Sequence, residues 1–155
     1  MHMSLKSLFI SFFCASARFS HLERRILDCI RSHLDKDITV FWDKQIASIN
    51  KIQRLPQGVE VDFYRMKNGY PTFDSEIAFP NRTQELQLAR VNVHIIDILQ
   101  KLEARIWCIE GFLFSIEYDC DTRYFEEAAS LDDQTILNIS CELTADLSGV
   151  SQNIF

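Results

Sequence analysis

The spacing of apolar residues changes near residue 59 of this chain, and that change limits the folds it can form. Up to about residue 55 the apolar side chains recur every three or four residues, which is typical of helices with one buried face. From residue 59 onward they alternate with polar side chains, which is typical of strands. Helices followed by sequential strands predict an α+β fold, in which N-terminal helices pack on one face of a mainly antiparallel meander sheet. The 155 residues suit a single domain that ends in an acidic C-terminal segment, residues 119–155.

Three helices are predicted in the first third of the chain. Apolar residues spaced as one helix face favour an amphipathic helix over residues 1–17, although the same stretch also fits a signal peptide. Ser20 and Glu23 have the spacing of a capping box, which predicts the start of a second helix. Asp37 is suited to cap a third helix, which we expect to end near Leu55.

The sheet is predicted over residues 59–118. Alternation over residues 59–64 indicates a first strand with one buried face. Asn68 and Gly69 then indicate a turn, and residues 73–79 are predicted to form a second strand.

The longest alternating stretch covers residues 85–102. It fits a third strand with a bulge at Ala89 and Arg90, but a helix also fits, because the stretch contains neither Gly nor Pro. Two apolar runs then flank Glu110 and Gly111. This pattern predicts a tight hairpin whose strands occupy the centre of the sheet.

The sequence contains no recognisable catalytic or cofactor-binding motif. The five cysteines include no C-x-x-C pair, the histidines form no metal-ligand pair, and the four glycines are isolated, which excludes a Gly-rich phosphate loop. Acidic neighbours on both sides make Cys120 a poor nucleophile, and His94 is expected to face solvent. We therefore predict a non-enzymatic protein without a cofactor. Cysteines without a disulfide pattern favour a reducing cytoplasm.

Two alternatives stay open. Asp119 and Asp121 are two residues apart on an extended segment, so both carboxylates point the same way and could hold Mg²⁺ or Ca²⁺ in a small enzyme. A solvated acidic loop explains the same pattern. The other alternative is a structural module that self-associates through the apolar face of residues 1–17.

The charge of the chain is distributed unevenly. Residues 110–155 contain one basic and ten acidic residues, a formal charge of −9, whereas residues 1–109 have a formal charge of +3. An acidic face without neutralising neighbours repels itself and favours a basic protein partner, while it disfavours direct binding of nucleic acid. Aromatic residues among the acids suit an interface, although an acidic tail that only maintains solubility is the alternative. The predicted partner-binding residues are Glu117, Tyr118, Asp119, Asp121, Tyr124, Phe125, Glu126, Glu127, Asp132 and Asp133.

The remaining acidic segment is expected to contain some regular structure. A short helix is predicted over residues 123–130 and a last strand over residues 135–141. No stretch of the sequence approaches the roughly 20 apolar residues that a membrane span needs.

Residues 49–54 (INKIQR), 61–65 (VDFYR) and 106–117 (IWCIEGFLFSIE) prompt a comparison with a known class of proteins. With the small size, the acidity and the order of helices before a meander, these segments resemble small bacterial immunity proteins of polymorphic toxin systems. They cover less than a quarter of the chain. The resemblance implies a non-enzymatic inhibitor that binds a cognate toxin, often over the toxin's active site, in the cytoplasm of the producing cell. We therefore expect a protein-binding domain whose acidic, aromatic-bearing face neutralises a toxin.

Overall fold

The computed structural model describes residues 18–149, and the order of helices and strands in this part of the chain confirms the predicted α+β fold. The amphipathic helix predicted over residues 1–17 lies outside the described residues. The helices are α1 (His21–Arg31), α2 (Lys36–Ser48) and α3 (Arg123–Ala129), and the strands are β1 (Lys51–Arg54), β2 (Glu60–Tyr64), β3 (Met66–Lys67), β4 (Tyr70–Pro71), β5 (Glu85–Ile95), β6 (Gln100–Ile109), β7 (Phe112–Tyr118) and β8 (Leu137–Leu143).

Six strands form one antiparallel sheet in the order β1-β2-β7-β6-β5-β8. The consecutive strands β5, β6 and β7 form the predicted meander. The β1–β2 hairpin joins this meander at β7, and β8 pairs with β5 at the other edge. β3 and β4 form a separate two-stranded ribbon. Because β2 pairs with β7, Val61 lies opposite Ile116, and residues far apart in the sequence share one surface.

The central hairpin forms as predicted. Glu110 and Gly111 connect β6 to β7 with φ values of 50° and 91°, and two consecutive left-handed residues match the twist of the flanking strands. A Cβ atom on Gly111 would lie 2.9 Å from the carbonyl oxygen of Phe79, so only glycine fits this turn. β6 and β7 occupy the two central positions of the sheet, as their apolar runs indicated.

α1 begins at the predicted capping box. The Glu23 N–H donates to Ser20 Oγ at 3.1 Å, and the Ser20 N–H donates to Glu23 Oε1 at 3.0 Å. The helix buries Leu22, Ile26 and Ile30 in the core that it shares with the sheet. Each such side chain stabilises the fold by roughly 1.5–3 kcal/mol when it is fully buried.

α2 is shorter than predicted. Asp35, and not Asp37, precedes its first residue, and the helix ends at Ser48 instead of near Leu55. The residues beyond it form β1, where Ile52 enters the core. Pairing with β2 satisfies the backbone groups of this segment, so tertiary contacts outweigh its helical spacing.

The strand predicted over residues 73–79 does not form. Asn68 and Gly69 do turn the chain, but they do so within the short ribbon of β3 and β4. Downstream, Phe79 is buried and stacks on Trp42 of α2, with ring centroids 6.3 Å apart. The apolar residues of this segment therefore serve packing against a helix and not strand pairing.

β5 is a strand, so the helical alternative for residues 85–102 is wrong. The predicted bulge is present one residue earlier than expected. The register with β6 shifts between Gln87 and Ala89, which leaves Leu88 as the extra residue. Leu88 and Ala89 are both buried as a result.

The sheet has one apolar face and one polar face. The apolar face packs against all three helices, whose buried side chains belong to the same core. Phe125 is the main contribution of the predicted C-terminal helix, which forms as α3. We call the opposite side of the sheet the polar face; it includes Glu60, Asp62, Arg105, Trp107, Ser115 and Glu117.

Candidate protein-interaction surface

Two of the three predicted aromatic anchors lie in the core. Tyr118 is 7% exposed and Phe125 is 1% exposed, so the prediction that they form part of a binding face is wrong. Tyr124 is 63% exposed and is available to a partner. Neighbouring residues of a helix point about 100° apart, and α3 turns Phe125 to the sheet and Tyr124 to solvent.

Tyr118 and Glu126 belong to a cluster that joins α1, β1 and α3. Glu23 is buried and accepts two hydrogen bonds from Arg54, at 2.7 and 3.1 Å. Glu126 accepts a hydrogen bond from Ser20 Oγ at 2.6 Å, and burial raises the pKa of its carboxyl group. Burial also raises the pKa of the Tyr118 phenol well above its ordinary value, and the charges of Glu23 and Glu126 raise it further. These contacts assign Glu126 a structural role.

Glu117 is also engaged within the chain. It lies on the polar face, where Arg105 Nη2 donates a hydrogen bond to its carboxylate at 3.2 Å. The basic neighbour comes from the first two-thirds of the sequence, so this acid is not left without neutralisation. Across the strand pair, Glu117 lies opposite Glu60.

The other predicted carboxylates are exposed, and several fix local turns. Asp119 accepts a backbone N–H of β6 at 2.9 Å. Asp133 accepts the hydroxyl and the N–H of Thr135, and these bonds lower the Asp133 pKa. Asp121 pairs with Arg123 at 3.1 Å. The exposed set is Asp119, Asp121, Glu127, Asp132 and Asp133.

These carboxylates gather at one end of the sheet. β7 ends there, β8 begins there, and the β5–β6 turn lies between them. The Asp119 N–H donates to the Glu103 carbonyl at 3.1 Å, and the Ile96 N–H donates to the Ile136 carbonyl at 3.0 Å. We call residues 96–99, 119–124 and 127–133 the acidic end.

The acidic end exposes apolar side chains that the sequence analysis missed. Leu99, in the β5–β6 turn, is 96% exposed. Turns normally favour Gly, Asn and Asp, so the apolar run over residues 95–99 was the signal that could have found this site. Among residues 18–149, six of the nine exposed large apolar side chains lie at or beside the acidic end, a concentration that is typical of interaction surfaces. They are Val59, Ile96, Ile98, Leu99, Tyr124 and Leu131.

The acidic end is strongly negative around these apolar side chains. Basic residues of the described part of the chain also lie near it. Lys101 is exposed, Arg123 pairs with Asp121, and Arg25 donates to the carbonyl oxygens of residues 134 and 137. Six carboxylates outnumber them: Asp97, Asp119, Asp121, Glu127, Asp132 and Asp133.

A buried arginine forms a second polar cluster, which the sequence analysis also missed. Arg65 donates to Ser48 Oγ at 2.9 Å, to the Leu113 carbonyl at 3.2 Å and to Gln45. Its guanidinium lies over the Phe112 ring, and burial lowers its pKa to about 10. The group borders a cavity of about 500 Å³, but its bonds serve to join α2 to β7.

Metal-binding and nucleophilic side chains do not cluster among the described residues. No group of three or more His, Cys, Asp or Glu side chains among them is placed to hold a metal ion. Burial raises the pKa of Cys120, and Asp119 raises it further, in agreement with the expected low reactivity of this thiol. His94 is only partly exposed, and its Nε2 is buried without a partner in residues 18–149, so the expectation that it faces solvent is corrected.

Comparison of the chain with protein-family models, with curated proteins and with solved structures finds no match. Over residues 18–149, none of the helices has the length and apolar character needed to cross a membrane.

Proposed function

We propose that this protein binds a basic protein through the acidic end. As its resemblance to immunity proteins implies, the partner in this proposal is a toxin. The protein would neutralise the toxin without catalysis, in the cytoplasm of the producing cell. The observation that supports this proposal is the exposure of Leu99 and other apolar side chains at the same end of the sheet as six exposed carboxylates. An apolar centre with a polar, charged rim is the common arrangement of protein interfaces.

The apolar side chains supply most of the affinity in this proposal. Complete burial of one leucine contributes roughly 1.5–3 kcal/mol, and Leu99 exposes nearly all of its side chain. Tyr124 adds an exposed aromatic ring on α3, and tyrosine is enriched among the residues that dominate binding energy. Leu99 therefore replaces Tyr118 and Phe125 as the central anchor.

The carboxylates set the choice of partner and the rate of association. A rim of like charge attracts a basic surface and raises the association rate, most strongly at low salt. The same charge disfavours a homodimer through this surface, because two copies of the acidic end would repel each other. A solubility role alone does not require apolar side chains at the centre of the rim.

The test compares three baits in the native host: the wild-type protein, Leu99→Ser and Tyr70→Ser. Tyr70 is also exposed, but it lies in β4 at the opposite end of the sheet, so Tyr70→Ser is the matched control. The proposal expects one basic protein that is retained by the wild type and by Tyr70→Ser and is lost with Leu99→Ser. Retention of the same partners by all three baits would exclude the acidic end as the binding surface.

The recovered partner is then purified for kinetic measurements. Asp119→Asn combined with Glu127→Gln should lower the association rate and flatten its dependence on salt, with a smaller effect on dissociation. An unchanged association rate would refute the part of the proposal in which the carboxylates speed association with the partner. Light scattering of the wild type and of Leu99→Ser checks self-association, and a dimer that is lost with Leu99→Ser would contradict a basic partner at this surface.

A further inference from the structure

Five side chains form a row across the polar face, away from the acidic end. Strand register places Asp62 opposite Gln53 on one side and opposite Ser115 on the other, and Ser115 lies opposite Trp107, which lies opposite Gln87. Neighbouring strands lie about 4.8 Å apart, so the backbones of Asp62 and Trp107 are separated by about 10 Å. Both side chains leave a polar atom without a partner in residues 18–149: Asp62 Oδ1 and Trp107 Nε1 are buried and make no hydrogen bond.

Asp62 is an unusual residue for this position. It is 8% exposed, and its neighbour on the same face, two residues away, is another acid, Glu60. Burial raises the pKa of both carboxyl groups, and the charge of Asp62 raises that of Glu60 further. A hydrogen bond between the two carboxyl groups, which requires a proton on one of them, also raises the pKa of Glu60 and partly offsets the rise for Asp62. A buried polar group without a partner costs about 1–3 kcal/mol. An apolar residue would avoid this cost, so the structure alone gives no reason for two acids here.

The nearby cations do not neutralise this pair. Lys51 Nζ lies over the ring of Tyr64, 5.7 Å from its centroid, and Arg105 pairs with Glu117. Among residues 18–149, no lysine or arginine nitrogen lies within 4.0 Å of the Glu60 or Asp62 carboxylate. The pair therefore presents acceptor oxygens and negative charge to a group from outside the described chain.

A guanidinium group matches these features best. It is planar, carries five N–H donors and no acceptor, and binds paired carboxylate oxygens through two parallel hydrogen bonds. It also stacks on aromatic rings, and Tyr64 and Trp107 share the polar face with the two acids. A divalent metal fits less well, because no third ligand joins the pair in the described residues.

We propose that Glu60 and Asp62 form a receptor for the guanidinium group of an arginine, and that the Trp107 indole N–H donates to a carbonyl or carboxylate oxygen of the same ligand. This site shares no residue with the acidic end, although Glu60 directly follows Val59 beside it, so the two proposals are tested by different variants. The arginine belongs either to a protein or to the free amino acid, and both sources present the same chemistry to the site.

The test is an NMR titration with three probes: free arginine, N-acetyl-arginine amide and N-acetyl-citrulline amide. Citrulline has nearly the same shape as arginine but no charge. The chain has two tryptophans, and Trp42 is buried among the helices on the other side of the sheet, so its indole N–H is an internal control. We expect a saturable shift of the Trp107 resonance with an arginine probe, no shift of Trp42, and no response to citrulline.

Binding by both arginine probes would assign the free amino acid, and binding by the blocked form alone would assign an arginine within a protein. Asp62→Asn keeps the shape of the side chain and should weaken binding about tenfold or more, because it removes a charged hydrogen-bond acceptor. Glu142→Gln, an exposed change on β8, should leave binding unchanged. The proposal fails if no arginine probe shifts Trp107 saturably, or if Asp62→Asn, shown to be folded by its spectrum, binds as tightly as the wild type.

Discussion

Asp62 is expected to destabilise the fold, and Asp62→Asn tests this directly. The wild-type carboxylate is nearly fully buried, its Oδ1 has no hydrogen-bond partner in residues 18–149, and Glu60 lies beside it. Asparagine has the same shape and no charge. Its amide group can also donate a hydrogen bond to the Glu60 carboxylate, whereas the wild-type hydrogen bond between the two carboxyl groups requires a proton on one of them.

We expect Asp62→Asn to raise the free energy of unfolding by about 1 kcal/mol at neutral pH, the lower end of the cost of an unsatisfied buried polar group. The sign follows from the pKa. Burial raises the pKa of Asp62 above its ordinary value of 3.8, so the folded protein binds this proton more tightly than the unfolded chain does. The stabilising contribution of the proton is complete below the unfolded-state pKa and is lost as the pH rises through the folded-state pKa. The advantage of the variant should therefore grow as the pH rises from below 3.8 through the raised pKa of folded Asp62.

Urea unfolding, followed by tryptophan fluorescence at several pH values, measures this difference. Asp133→Asn is the control of opposite sign, because hydrogen bonds from Thr135 lower the Asp133 pKa, and neutralising that residue should cost stability at neutral pH. A variant less stable than the wild type at pH 7, or a difference that does not change with pH, would refute the assignment of Asp62 as an uncompensated buried carboxylate.

Two further substitutions test the packing of the fold. Gly69→Ala and Gly111→Ala both force a left-handed alanine, at a strain of about 1–2 kcal/mol, but only the Gly111 Cβ would meet the Phe79 carbonyl, at 2.9 Å. Gly111→Ala should therefore lower the urea midpoint clearly more than Gly69→Ala, and equal midpoints would contradict the close approach. Arg54→Met leaves the buried Glu23 carboxylate without its partner and should lower the free energy of unfolding by about 2–3 kcal/mol, less than for a fully buried pair because Arg54 is partly exposed. Adding Glu23→Gln to this variant should restore part of the lost free energy of unfolding. If the effects of the two substitutions on this free energy simply add, Arg54 and Glu23 are not energetically coupled.

Local patterns in the sequence determined the parts of the fold that depend on near neighbours. The capping box of Ser20 and Glu23 predicted the start of α1, because its hydrogen bonds join residues three apart. Glu110 and Gly111 predicted the central hairpin, because two left-handed residues suit such a turn. The excess of carboxylates after residue 110 also predicted an acidic surface, and five of the ten predicted residues are exposed acids.

The tertiary structure decided which side chains are buried between the helices and the sheet, and which strands pair with each other. Tyr118 and Phe125 were predicted at the surface, but an apolar ring next to acids is buried whenever its strand or helix turns that side to the core. Residues 51–54 have helical spacing, yet they form β1 because β2 supplies the backbone partners. The apolar run over residues 95–99 is visible in the sequence, but its exposure in a turn is not. The row from Asp62 to Trp107 is not visible either, since both features arise where strands meet. The row exists because β2 pairs with β7, and strand pairing over such a separation is set by burial of the whole apolar face, which no short stretch of sequence encodes.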